Sequence, residues 1–124
     1  MSDSTSPPPE PEVVLDLEHR DGVFLLVLAN TGAATAYRPR VEFDDRLSAL
    51  GGTITLSELP LWSGLAMLRP GAKVEVVLDH AARQRGTSRR FVATVTYADR
   101  QGRQYDQRFE HDLGTYDGLP TLIP

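Results

Sequence analysis

GVFLLVLANTGAATAYRPRVEF, residues Gly22 to Phe43, is the stretch that decides the fold. Val23 to Ala29 is apolar at every position, the pattern of a strand covered on both faces. Seven β-rich residues between turn signals are too few for a helix. Asn30-Thr31-Gly32 tolerates the positive φ of a tight bend, and small residues continue it to Ala36. From there Tyr37, Pro39, Val41 and Phe43 alternate with Arg38, Arg40 and Glu42, which predicts a second, half-exposed strand. Pro39 has no N–H to give to a ladder, so this strand is expected at a sheet edge or irregular at that point.

Working outward, Val13 to Glu18 places Val13, Leu15 and Leu17 on one face and Asp16 and Glu18 on the other, a strand with one solvated side. His19-Arg20-Asp21-Gly22 joins it to the central strand through an Asp-Gly hairpin signal. Downstream, Thr53 to Leu56 reads as a short strand after Gly51-Gly52, and Arg69-Pro70-Gly71 as a turn with Pro in its second position. Lys73 to Asp79 is a strand with Val74, Val76 and Leu78 inward. Phe91 to Tyr97 is a further two-sided strand, and Asp99-Arg100-Gln101-Gly102 turns it into Arg103 to Glu110. There Tyr105, Gln107 and Phe109 share a face opposite Gln104, Asp106 and Arg108. Six strands and one short one, separated by turn signals and with no convincing helix, predict an all-β fold, an antiparallel β-sandwich of about seven strands. The expected organisation is a disordered Pro-rich tail over 1–12, the sandwich over 13–112 and a C-terminal extension over 113–124.

Composition narrows the function classes. The 124 residues carry 40% hydrophobic and 24% charged side chains, the balance of a globular domain. A net charge of −4 argues against a nucleic-acid binder. With no cysteine, a disulfide scaffold, thiolate metal ligands and a Cys nucleophile are excluded. The start, MSDSTSPPPEPE, lacks the basic and apolar regions of a secretory signal, and no run is long enough for a membrane span. A cytoplasmic protein is expected.

Three features resemble a known family: the apolar strand ending in Asn30-x-Gly32 before an Ala-rich turn, Leu68-Arg69-Pro70-Gly71 leading into a Lys/Glu/Val strand, and Val95-Thr96-Tyr97-Ala98-Asp99 with Gly102 and Tyr105 as a final hairpin. Over residues 13 to 110 the chain resembles the bacterial immunoglobulin-like domains of CARDB type. That resemblance implies an immunoglobulin-like sandwich of seven strands, used for binding or spacing rather than catalysis.

No catalytic set assembles. His19, His80 and His111 have no metal-ligand spacing, and Ser63-Gly64 lies outside a nucleophile elbow. Neither a metal nor a cofactor is expected. The acidic turn Asp44-Asp45 reads as solvated. The main candidates are Leu61, Trp62, Leu65, Met67 and Leu68, an apolar cluster that either folds over the open end of the sandwich or forms a patch for a protein partner or self-association. A second candidate is the basic loop with Arg83, Arg85, Arg89 and Arg90, suited to an acidic partner. The unprotected strand edges Val13–Glu18 and Arg103–Glu110 are a third route to a partner. The expected function is therefore a non-enzymatic protein–protein interaction or assembly module. The alternative is a small-ligand or carbohydrate-binding module with Trp62 as its stacking platform.

Overall fold

A computed structural model of the chain describes residues 8–49, 54–80 and 90–112. In chain order the strands are β1 (Val13–Arg20), β2 (Val23–Asn30), β3 (Ala36–Phe43), β4 (Ser48–Ala49), β5 (Ile54–Thr55), β6 (Met67–Leu68), β7 (Lys73–His80), β8 (Arg90–Ala98) and β9 (Gln104–Asp112). They form a three-stranded sheet, β1-β2-β7, and a four-stranded sheet, β6-β3-β8-β9, with β4 and β5 in a separate two-residue ladder. All pairings are antiparallel. The fold is thus an immunoglobulin-like β-sandwich of seven strands. Its short fourth strand, β6, pairs with β3 instead of lengthening the sheet of β1, β2 and β7, which reverses the four-plus-three division of antibody constant domains.

The expected strand–turn pattern holds at the hairpins. Asp21 (φ 54°) and Gly22 (φ 78°) make the two-residue link between β1 and β2, both with the positive φ that a type I′ turn requires. The N–H of Ala72 donates to the carbonyl of Arg69, closing the turn at Pro70-Gly71. At the β8–β9 hairpin, Oδ1 of Asp99 accepts from the N–H groups of Gln101 (2.9 Å) and Arg103 (2.8 Å), and Oδ2 from the hydroxyl of Tyr105 (3.0 Å). Partial burial pulls the Asp99 carboxyl upward, but these donors together hold it below its ordinary value of 3.8. Burial and the bond to Asp99 raise the Tyr105 hydroxyl above its ordinary value.

β2 is the central strand of its sheet, paired with β1 on one side and β7 on the other. Phe24, Leu26 and Leu28 enter the core from it and meet Phe91, Ala93, Val95 and Tyr97 of β8. On one flank β1 packs against β8 and β9. There His111 Nε2 donates to the carbonyl of Leu15 (2.8 Å), and the N–H of Leu17 donates to Asp16 Oδ1 (2.9 Å). Two main-chain groups of the expected β1 docking edge are therefore already engaged. The β9 edge places Gln104, Asp106, Arg108 and Glu110 outward, and charges of this kind discourage chance strand pairing.

Asn30, 1% exposed, is the buried polar residue that ties the frame together. Its Oδ1 accepts from the N–H of Glu12 (3.1 Å) and of Gly32 (2.9 Å), and its Nδ2 donates to the carbonyls of Ala34 (2.8 Å) and Leu68 (2.8 Å). Its own N–H donates to Ala72 O, and its carbonyl accepts from Gly71. A fully bonded buried amide is stable, whereas a half-bonded one is costly. Of the tail expected to be disordered over 1–12, residues 1–7 lie outside the described residues, and its last residues are anchored here: Ala33 N–H donates to Glu10 O and Thr31 N–H to Glu12 O. The approach is so close that a Cβ on Gly32 would lie 2.7 Å from the Pro11 carbonyl carbon and nearer still to Glu10 O and Glu12 N.

Two corrections concern β3 and the segment after β5. Pro39 fits both alternatives: β3 pairs with β6 only at Ala36 and Tyr37, so at Pro39 that side of the strand has no ladder partner, and a bulge between Tyr37 and Arg40 with Arg38 at φ 51° makes it irregular there. The bulge shifts the alternation, so Ala36, Pro39 and Val41 are buried while Tyr37 leaves the face assigned to it. The segment expected to lack helix contains a 3-10 turn, Leu56–Glu58, and one α-helical turn, α1 (Leu61–Gly64), which packs on β3. Gly51, Gly52, Thr53, the basic-loop residues Arg83, Arg85 and Arg89, and the extension over 113–124 lie outside the described residues.

Candidate functional site

The predicted cluster separates once folded. Trp62 is 3% exposed; its Nε1–H donates to the carbonyl of Leu56 (2.7 Å), and its ring meets Phe43 edge to face at 5.3 Å. Leu68 is buried, and Leu61 and Leu65 are partly buried against the same core. These four complete the core. Trp62 therefore offers no free ring face, and the stacking platform placed on it is corrected: a small sandwich needs apolar cover at its open end, and the indole supplies it. Met67 alone of the cluster stays outside, 45% exposed. Arg90, the described member of the basic loop, is ion-paired with Glu110 across β8 and β9.

What remains outward lies on the outer faces of the two sheets. On the three-stranded sheet, β2 turns Val23, Leu25, Val27 and Ala29 outward between charged residues of β1 and β7. Arg20 on β1 reaches over β2 to Glu75 on β7 at 3.0 Å and also holds Glu18 on its own strand; Lys73 joins Glu75 at 3.3 Å. The bonds from Arg20, and then Lys73, hold the Glu75 carboxyl below its ordinary range, while Glu75 and Glu18 push the guanidinium up. Val27, under these side chains, is only 3% exposed, while Val77 at the margin is 46% exposed.

The four-stranded sheet has a different outer face. Its first cross-strand row is Met67, Tyr37, Ala98 and Gln104, from β6 to β9. The next two rows are Arg40, Thr96, Asp106 and Glu42, Thr94, Arg108. β8 thus supplies short side chains along the middle, flanked by long ones on β3 and β9, which shapes a groove over β8. Among the described residues no ion pair spans it from Arg40 to Asp106 or from Glu42 to Arg108. At the Met67 end it deepens into a hollow of about 270 Å³ lined by Tyr37, Arg38, Arg40, Thr96, Ala98 and Gln104.

The β3 bulge makes this hollow. With regular alternation Tyr37 would point into the core with Val41; the extra residue turns both Tyr37 and Arg38 away from it, and the Arg38 N–H is held by the Ala66 carbonyl (2.8 Å). A non-glycine residue in the left-handed region costs conformational energy, which the surrounding pairing must offset. Sequence reasoning named Met67 and missed Tyr37, Arg38 and Arg40. The signal was Pro39, since a proline inside a strand sits on an unpaired side or at a bulge, and a bulge reverses the faces.

Among the described residues no group of three or more His, Asp or Glu side chains gathers in metal-binding geometry, and no helix is long and apolar enough to cross a membrane. Of the acidic turn, Asp44 accepts from the Val92 N–H through Oδ1 (2.9 Å). The family described as a domain of unknown function, DUF8453, matches residues 3–117, and the chain belongs to it. No curated protein and no solved structure matches.

Proposed function

We propose that this member of the DUF8453 family is a non-enzymatic protein-interaction module that receives its partner on the outer face of the β6-β3-β8-β9 sheet. The observation that supports it is the row Met67–Tyr37–Ala98, in which a 45% exposed methionine adjoins a half-buried tyrosine at the mouth of an open groove. Aromatic residues, methionine and arginine are the types enriched where partners meet, and Tyr37, Met67, Arg38 and Arg40 are all present at this end. The likeness to CARDB-type modules, resting on Asn30-x-Gly32, the Pro70-Gly71 turn and the final hairpin, supports the same reading. It moves the interaction surface from the loop around Trp62 to the sheet beside it and retains Met67.

The test is a photo-crosslinking residue placed at Met67 in the native host, with Asp16 on the other sheet as the control position. A discrete protein adduct from position 67, absent from position 16, is expected, with a second copy of this chain counted as a partner. No adduct, or the same adducts from both positions, would overturn the assignment.

A further inference from the structure

We propose that the hollow beside Tyr37 is a carboxylate-binding subsite, which takes an acidic side chain of an extended segment of the protein partner laid along β8. This rests on the interaction reading above and adds its chemistry.

Three observations converge. First, two arginines, Arg38 and Arg40, line one small hollow, and among the described residues neither has an ion-pair partner, although the chain as a whole carries a net charge of −4. Arg20, Arg46, Arg90 and Arg103 are each paired with a carboxylate of this chain, whereas Arg69, Arg100 and Arg108 are, like these two, without an ion pair among the described residues. It is the convergence of two arginines on one hollow that sets Arg38 and Arg40 apart. Second, beside Ala98 and Tyr97 the hollow is lined by Tyr37, Thr96 and Gln104, whose hydroxyls and amide are groups able to donate to an oxygen. Third, the bulge is what sets Arg38 here, at a backbone conformation that arginine seldom adopts.

Size and shape select the occupant. A hollow of about 270 Å³ is smaller than an ordinary small-molecule pocket and suits a single side chain. From it the short side chains of β8 run from Ala98 through Thr96 and Thr94 to Val92, about 20 Å at the rise of a strand, which fits an extended peptide. Planar guanidinium groups meet a carboxylate through paired N–H donors, a geometry that a neutral amide does not reproduce.

The experiment uses the full chain, ¹⁵N-labelled, titrated with the blocked tetrapeptide acetyl-Thr-Glu-Thr-Val-amide and with its twin carrying Gln for Glu. The Glu peptide is expected to shift the amides of Tyr37, Arg40 and Thr96 and to bind about tenfold more tightly than the Gln peptide at low salt. Arg40→Gln should abolish that preference while leaving the rest of the spectrum in place. Arg38→Gly, which accepts the positive φ without a side chain, should reduce it and separates the loss of charge from any backbone effect. Equal binding of the two peptides, an undiminished preference in both variants, or displacement by inorganic phosphate at equal concentration would overturn the carboxylate assignment. Crosslinking from position 67 without Glu/Gln discrimination removes this inference and leaves the interaction reading. Discrimination without any protein adduct removes the interaction reading itself.

Discussion

The outer faces of the two sheets are built on one plan and end in opposite states. Each has an interior strand, β2 or β8, whose outward residues are uncharged apart from Arg90 at the start of β8, between strands that carry charge. On the three-stranded sheet Arg20 crosses the central strand to Glu75, and Val27 is sealed to 3% exposure. On the four-stranded sheet no such bridge forms among the described residues, and the Thr94–Thr96–Ala98 column forms the floor of an open groove. Alternation determines which side chains point outward. Whether the outward ones close over each other depends on reach and partner, and here it separates a satisfied face from one with unpaired guanidiniums.

The largest effect should come from the frame that both faces share. Asn30→Leu leaves the N–H groups of Glu12 and Gly32 and the carbonyls of Ala34 and Leu68 without their partner. At about 1 kcal/mol per bond the expected loss is about 4 kcal/mol in urea unfolding, with both faces lost together. An Asn30→Leu protein within about 1 kcal/mol of the parent would show that the seam is not what holds the sheets in place.

The contrast itself is tested by placing the same charge on each face. Val27→Asp puts a carboxylate beneath the closed face and is expected to cost about 3 kcal/mol, whereas Thr96→Asp on the open face should cost under about 1 kcal/mol. Equal losses in denaturant titrations would erase the distinction drawn between the two faces.

The smallest effect is the pH dependence of the bridge. Glu75 has its folded pKa below the ordinary 4.5, so its contribution is fully present above that value and disappears as pH falls through the lower folded value. Thermal scans from pH 6 downward should show the parent losing stability over that acid window, and Arg20→Met should flatten the change. Salt should weaken the same term, because the bridge is at the surface. An identical acid slope in Arg20→Met would remove the bridge as the reason that this face is closed.

Much of the frame was legible. The apolar run Val23–Ala29 became the central strand, and Asp21-Gly22, Pro70-Gly71 and Asp99–Gly102 became turns, because each depends on residues adjacent in the chain. Asn30 and Gly32 were legible as a bend only. The partners of Asn30, Glu12 and Leu68, stand 18 and 38 residues away, and local pattern carries no information about them. Trp62 shows the same limit: the sequence presents an apolar cluster, and only packing tells a core plug from an exposed patch. Tyr37 was assigned to the wrong face because the alternation was carried unbroken through Pro39.

By itself the sequence determined the strands, their turns, the sandwich class and an acidic balance of charge, all consequences of backbone periods and of the residues that punctuate them. The tertiary structure decided what those strands expose. Arg20 meets Glu75 across 55 residues, Met67 joins Tyr37, and Arg38 and Arg40 come to line one hollow, because strand order, register and a single bulge bring them there. Strand periodicity is local, but the pairing of side chains on a sheet follows from which strands lie side by side, and that is settled only when the core closes.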